Sequence, residues 1–134
     1  MHTTNYVNTF IEVADDCKAE TAKVPPEKAA KNVAQMQFEM ISQHPYQYTS
    51  DEVIFSIYAS RNQIATAELE TKQAEFFSKG QACLRASPLG KTYGWGIHHD
   101  AESKVAIYAL ASNEYNRLKN DPSLKHLKAM KSAR

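Results

Sequence analysis

The hydrophobic and polar positions of the N-terminal part predict a strand followed by a helix. Residues 6–14 are rich in β-branched and aromatic residues and alternate in polarity, which is typical of a strand. Pro25-Pro26-Glu27 favours the start of a helix, because proline and an acidic residue suit the first turn. This helix must end before Pro45. Its hydrophobic stripe has helical spacing and consists of Val33, Met36, Met40 and Ile41.

The pattern of the next stretch predicts two more helices. Thr49-Ser50-Asp51-Glu52 has the form of a capping box, in which Thr49 and Glu52 bond each other's backbone amides. Hydrophobic residues follow at helical spacing, although residues 53–59 also alternate as a strand would. The cap favours the helix. A third helix is predicted from about 66 to 79, and Gly80 suits the left-handed position after its end.

The C-terminal half has the spacing of short strands and turns. Residues 82–85 are a strand candidate, and 87–90 resemble a turn. Residues 93–99 and 104–110 predict a hairpin with a four-residue loop, in which His99 faces Lys104 and Trp95 faces Tyr108. Gly94, Gly96 and His98 then share one face. The glycines let something approach that face closely, either a packed helix or a ligand.

The end of the chain predicts one more helix and an ambiguous segment. Ser112 is suited to cap a short helix that ends near Asn120, before Asp121-Pro122. Residues 124–130 fit either a helix or an edge strand. No internal repeat or linker divides the sequence. We therefore expect a single α+β domain over residues 1–134, with a small, mostly antiparallel sheet and about four helices packed against it.

Composition and charge exclude several classes of protein. The 134 residues are 43% hydrophobic and 23% charged, which is typical of one globular domain. The longest apolar run, 105–111, is far shorter than the roughly twenty residues of a membrane helix. A net charge of +1 gives no overall attraction to nucleic acid or membranes. Residues 116–134 hold six basic residues, but no aromatic residue follows Tyr115 to stack on bases. We expect neither a nucleic acid nor a membrane as partner.

The N-terminus and the cysteines indicate the compartment. Residues 1–6 lack the basic and apolar regions of a secretory signal, so a cytoplasmic protein is expected. In that compartment Cys17 and Cys83 stay reduced. No pair of cysteines or of cysteine and histidine has the spacing of a metal site, and the dinucleotide, P-loop, zinc-protease and serine-hydrolase motifs are absent. The sequence therefore predicts no metal and no cofactor.

Candidate chemistry concentrates around the predicted hairpin. The loop before it holds Arg85, Ser87, Lys91 and Thr92, and bases, hydroxyls and turn amides together can hold a carboxylate or a phosphate. His98 lies at the rim of the glycine face and is the first candidate for a functional histidine, although a structural or merely exposed histidine is the commoner outcome. The candidate ligand-binding residues are Arg61, Arg85, Lys91, Trp95 and His98.

Three functions fit these residues. The leading one is a small binding domain for an anionic small molecule or an acidic peptide segment. The second is an enzyme in which His98 is the general base and Arg85 or Arg61 holds the substrate charge. The third is a self-association module, giving a homodimer through Trp95 and Tyr108 on an exposed sheet face. The first two depend on whether His98 and Arg85 line a common cleft.

Four stretches together resemble a known family. They are MHTTNYVNTFIEVADD (1–16), YTSDEVIFSIYASRN (48–62), FFSKGQACLRASPLGKTYGWGIHHD (76–100) and KAMKS (128–132). The chain is similar here to a domain-of-unknown-function family of small bacterial proteins of about this length. The resemblance implies a free-standing, cytoplasmic bacterial protein and supplies no activity, cofactor or catalytic residue. Members of that family have β-branched residues before the KAM segment, which implies a final strand at 124–130 rather than a helix.

Overall fold

A four-stranded sheet forms the centre of the computed structural model, which describes residues 1–132. The predicted domain extends to residue 134, so its last two positions lie outside the described residues. The strands are β1 (Thr9–Glu12), β2 (Trp95–His99), β3 (Val105–Ala109) and β4 (Lys125–Lys128), in the order β3-β2-β1-β4. The β1–β2 and β2–β3 pairs are antiparallel, whereas β4 is parallel to β1. The α+β class, the mostly antiparallel sheet and the final strand are confirmed.

Helices cover both faces of this sheet. Among residues 1–132 there are five α-helices: α1 (Val33–Gln43), α2 (Ser50–Arg61), α3 (Leu69–Phe76), α4 (Pro88–Lys91) and α5 (Asn113–Lys119). On one face Ile11 and Ile97 pack with Ile41 of α1, Val53 of α2 and Leu89 of α4. On the other face Phe10 packs against Tyr115 and Leu118 of α5. Helix α3 lies outside these layers and packs on α2 through a separate cluster of Phe55, Ala59 and Phe77.

Side-chain caps set the starts of two helices where the sequence predicted them. Thr49 Oγ1 accepts from the Glu52 amide at 3.2 Å, and Glu52 Oε1 accepts from the Thr49 amide at 2.9 Å. Ser112 Oγ accepts from the Tyr115 amide at 3.1 Å and starts α5. Each cap satisfies an amide that has no partner within its helix. The helical interpretation of residues 53–59 is therefore confirmed.

The start of α1 was predicted wrongly. The helix begins after Asn32, whose side chain accepts from the Gln35 amide at 2.9 Å, and not at Pro25-Pro26-Glu27. Proline suits a first turn, but it suits extended backbone equally well. Pro25 is buried outside any helix. The side-chain cap, and not the proline pair, fixes where α1 starts.

The segment between α3 and the hairpin also differs from its prediction. Residues 82–85 do not form a strand, because Leu84–Ala86 is a short 3-10 turn. The predicted turn at 87–90 is the helix α4. Ser87 Oγ accepts from the Leu89 amide at 3.1 Å, and Pro88 takes the first helical position, where its missing amide hydrogen costs nothing.

The hairpin forms as predicted but with a different register. His99 pairs with Val105, and Trp95 pairs with Ala109. The Asp100 amide donates to the Lys104 carbonyl at 2.9 Å, so these two residues extend the pairing and the loop proper is residues 101–103. It is therefore shorter than the four residues predicted, and Ser103 takes a left-handed φ of 66° in it. A shift of one residue moves every β3 side chain to the opposite face. Tyr108 therefore shares a face with Gly96 and His98, and Trp95 lies on the other face.

Candidate functional site

A cleft of about 320 Å³ lies between α1, α2, α3 and the 82–88 segment, on the opposite side of the sheet from α5. Its volume is at the lower end of the range for small-molecule sites. Helix α1 contributes Val33 and Gln37, which are four residues apart. Residues of α2 at spacings of three and four complete one wall, because such residues share a helix face: Ile54, Ile57, Tyr58 and Arg61.

The charge of this cleft comes from one residue. Among the described residues that line it, Arg61 is the single charged side chain, and the others are apolar or neutral polar. Arg61 lies in the last turn of α2 and is exposed. It makes no ion pair with any residue of the 1–132 range. An unpaired guanidinium at the edge of an apolar cleft can bind a carboxylate or phosphate through two parallel hydrogen bonds.

Two buried polar side chains meet at the wall of the cleft. Gln37 and Ser87 are 6% and 3% exposed. Ser87 Oγ donates to Gln37 Oε1 at 2.5 Å, while it also accepts from the Leu89 amide. This bond joins α1 to the start of α4. The serine that caps α4 therefore also holds one side of the cleft in place.

The thiol of Cys83 is a further polar group of this wall. Its Sγ lies 3.3 Å from the hydroxyl of Tyr6, which comes from the N-terminal segment. Burial and, to a smaller extent, the contact with Cys83 together raise the pKa of Tyr6 to about 12, against the opposing charge of Arg85. Tyr6 therefore stays protonated at neutral pH and can donate to the sulfur. The Tyr6 ring in turn contacts His99 edge-on, at 5.4 Å between ring centroids.

Of the five residues predicted from sequence, the structure places only Arg61 in this cleft. Arg85 points towards β4, where its Nε donates to the Lys128 carbonyl at 2.8 Å. Lys91 ends α4 and lines a separate depression with Asp16 and Lys18. Trp95 packs on Phe38 at 5.2 Å and donates from Nε1 to the Lys23 carbonyl at 2.9 Å. These three side chains are engaged elsewhere.

His98 lies on the α5 face of the sheet, away from the cleft and from Arg85. Its Nδ1 is 2.8 Å from the hydroxyl of Tyr46, which is also 2.7 Å from the hydroxyl of Tyr108. Burial lowers the pKa of His98, and Asp100 and Asp121 oppose this shift. His98, Tyr46 and Tyr108 therefore form a short chain of hydrogen bonds. His98 and Arg85 do not line a common cleft.

A helix, and not an open site, covers the glycine face next to His98. A Cβ on Gly96 would lie 2.5 Å from Phe10 Cζ and 2.6 Å from Tyr115 Cε2. Glycine is required here because the two rings rest directly on the strand backbone. The predicted self-association surface is not formed either, because Trp95 and Tyr108 lie on opposite faces.

Gln37, Tyr58 and Phe76 are residues of the cleft that sequence reasoning missed. The sequence signal for Gln37 is that it lies four residues before Ile41, so both side chains are on the buried face of α1. Tyr58 and Phe76 pack together at 4.5 Å between ring centroids and form an aromatic edge beside Arg61. For metals, residues 1–132 contain no group of three histidine, cysteine or acidic side chains placed to hold an ion.

Within the described part of the chain, no helix combines the length and apolar character that crossing a membrane requires.

Comparisons with known proteins give a family but no function. Neither the curated proteins nor the solved structures contain a match to this chain. A family model, described as a family of unknown function, matches residues 1–134. The chain therefore belongs to the family DUF6157.

Proposed function

We propose that this protein binds a small organic anion, a carboxylate with an apolar body, in the cleft beside Arg61. The observation that carries the proposal is the charge of the cleft: one unpaired arginine and no acidic residue among the described residues that line it. The apolar walls from α1 and α2 favour an acyl or aryl body, because burying apolar surface stabilises the bound state. The volume of about 320 Å³ limits the ligand to a small molecule.

Two alternatives raised by the sequence, an enzyme and an acidic-peptide ligand, have less support. An enzyme with His98 as general base needs that imidazole at the substrate, but His98 lies on the α5 face and bonds Tyr46. An acidic peptide is less favoured, because a cleft of about 320 Å³ is the size of a small-molecule site. We place the binding activity in the bacterial cytoplasm, which fits the free thiols of Cys17 and Cys83.

Calorimetric or NMR titration with hexanoate tests the proposal, with hexan-1-ol as the uncharged ligand of matched length. The variants are Arg61→Gln and, as a matched control, Arg117→Gln on the exposed side of α5. We expect Arg61→Gln to weaken hexanoate binding about tenfold, because a charged hydrogen bond is worth roughly 1.5–3 kcal/mol before solvent screening. Arg117→Gln should bind as the wild type does.

Three results would refute this function. One is the absence of any titration shift at residues of the cleft at millimolar hexanoate. Another is equal binding of hexanoate by the wild type and Arg61→Gln, because the guanidinium would then play no part. Binding of hexan-1-ol as tight as that of hexanoate would lead to the same conclusion.

A further inference from the structure

The side-chain amide of Gln37 is the one feature of the cleft wall that anion binding by Arg61 leaves unexplained. Gln37 is 6% exposed and lines the cleft. Its Oε1 accepts from Ser87 Oγ, and this is the only hydrogen bond of its side chain within residues 1–132. The amide nitrogen Nε2 has two hydrogens and no partner there. Buried amide groups are almost always hydrogen-bonded, so a donor left over at a cleft wall needs an acceptor.

The unpaired nitrogen is accessible from the cleft. In the 1–132 range, the only side-chain polar atoms that are fully enclosed and have no hydrogen-bond partner are the two ring nitrogens of His99. Gln37 Nε2 is therefore not sealed inside the protein. Gln37 is 6% exposed and lines the cleft, so an acceptor bound in the cleft can reach this nitrogen.

The hydrogen-bonding of Ser87 fixes the orientation of this amide. Ser87 Oγ accepts from the Leu89 amide because it caps α4, and its own proton is free to be donated. Gln37 Oε1 receives that proton. With the amide rotated by half a turn, Nε2 would donate to the second lone pair of Ser87 Oγ, but the serine proton would lose its acceptor. The observed orientation presents a donor, and not an acceptor, to the cleft.

We propose that Gln37 binds a carbonyl oxygen in the body of the anion, so that the ligand is an oxo- or acyl-substituted carboxylate and not a plain alkanoate. This inference rests on the proposed function, because Arg61 holds the carboxylate of the same ligand. The carbonyl oxygen accepts from Gln37 Nε2. A plain alkanoate of equal length leaves the amide facing apolar carbon and loses that hydrogen bond. A site that hydrogen-bonds one group of its ligand discriminates against ligands lacking it.

Binding ratios test this assignment. Hexanoate is compared with 3-, 4- and 5-oxohexanoate, in which one methylene is replaced by a carbonyl at successive positions. We expect one of the three to bind the wild type about three- to tenfold more tightly than hexanoate, the range of one net hydrogen bond. Arg61→Gln should weaken both ligands and leave their ratio unchanged, because the arginine contacts only their shared carboxylate.

Two substitutions at Gln37 remove the donor in different ways. Gln37→Met has a similar size and no polar group. Gln37→Glu keeps an acceptor for Ser87 and preserves the link to α4 if the first variant does not fold. Its added charge weakens all four anions, so the ratio remains the measured quantity. In both variants we expect the oxo acid and hexanoate to bind equally.

The outcomes separate the two proposals. If hexanoate binds in an Arg61-dependent way but no oxo acid gains affinity, the assignment of Gln37 is wrong and the proposed function stands. The assignment is equally wrong if a gain persists in Gln37→Met and Gln37→Glu. If hexanoate gives no binding that depends on Arg61, the proposed function itself is overturned.

Discussion

Acid should destabilise this protein through His99, a buried histidine without hydrogen-bond partners. His99 lies in β2 on the face that packs against α1 and α2, and it is 0% exposed. Neither ring nitrogen has a partner in the described part of the chain. Burial lowers the pKa of His99 from its ordinary 6.5 to about 4, with His98 adding to the effect and the Ile97 backbone and Asp100 opposing it. The folded state therefore contains the neutral ring.

The size of the effect follows from proton linkage. Because the pKa of His99 is lower in the folded state, the unfolded state binds more protons between about pH 4 and pH 6.5. Above pH 6.5 the free energy of unfolding has its full value as far as His99 is concerned. It decreases as the pH falls through this window, because the unfolded state takes up the proton first. At 1.36 kcal/mol per pKa unit, the total loss is about 3 kcal/mol, of which about 2 kcal/mol falls between pH 7 and pH 4.5.

Urea unfolding of the wild type and His99→Leu from pH 7 to pH 4.5 measures this loss. Leucine removes the titration together with the two unpartnered nitrogens, so the variant should also lose little stability at pH 7. The carboxylates titrate in both proteins, including Asp15 and Asp121, whose lowered pKa values result from hydrogen bonds to Lys128 and Ser123. Their effect cancels in the difference. Parallel pH profiles for the two proteins would refute the reasoning.

Two further predictions concern local packing and capping. Gly96→Ala should lower the free energy of unfolding by about 1–3 kcal/mol, because its Cβ would lie 2.5 Å from Phe10 Cζ. Gly80→Ala, whose Cβ meets only His2 Nδ1 at 3.8 Å, is the control in the same thermal unfolding assay, and equal losses would contradict the packing argument. Thr49→Ala should cost about 1 kcal/mol through loss of the α2 cap, measured by urea unfolding. Ser56→Ala on the exposed side of α2 should cost less, and the same loss in both would contradict the role of the cap.

The fold was predictable wherever a residue acts on its own neighbours. Thr49 and Ser112 cap helices that start next to them, so their signals are complete within a few residues. The register of the hairpin depends instead on Ser103 taking a left-handed conformation. Glycine or asparagine usually occupies such a position, so the serine gave no signal. The predicted register was therefore wrong by one residue, and it assigned Tyr108 to the wrong face of the sheet.

The cleft was less predictable because distant parts of the chain build it. Arg61 was identified as a candidate, but its apolar surroundings come from α1, α3 and the 82–88 segment. Arg85 lies within that segment, yet its side chain points to the Lys128 carbonyl. The sequence pattern of a short turn does not show in which direction the Arg85 side chain points. His98 is near these residues in sequence, but the sheet separates it from them.

The distribution of packing over the two sheet faces explains why the cleft lies among the helices. On the α5 face, Phe10 and Tyr115 press onto Gly96 and leave no space for a ligand. On the opposite face, Ser87 connects α1 to the start of α4 through Gln37 and at the same time caps α4. The Ser87 hydroxyl that supports the cleft wall is thus also the hydrogen-bond acceptor that caps α4. The fold therefore holds Gln37 in position without a ligand, and for the proposed binding function this reduces the ordering that binding would impose.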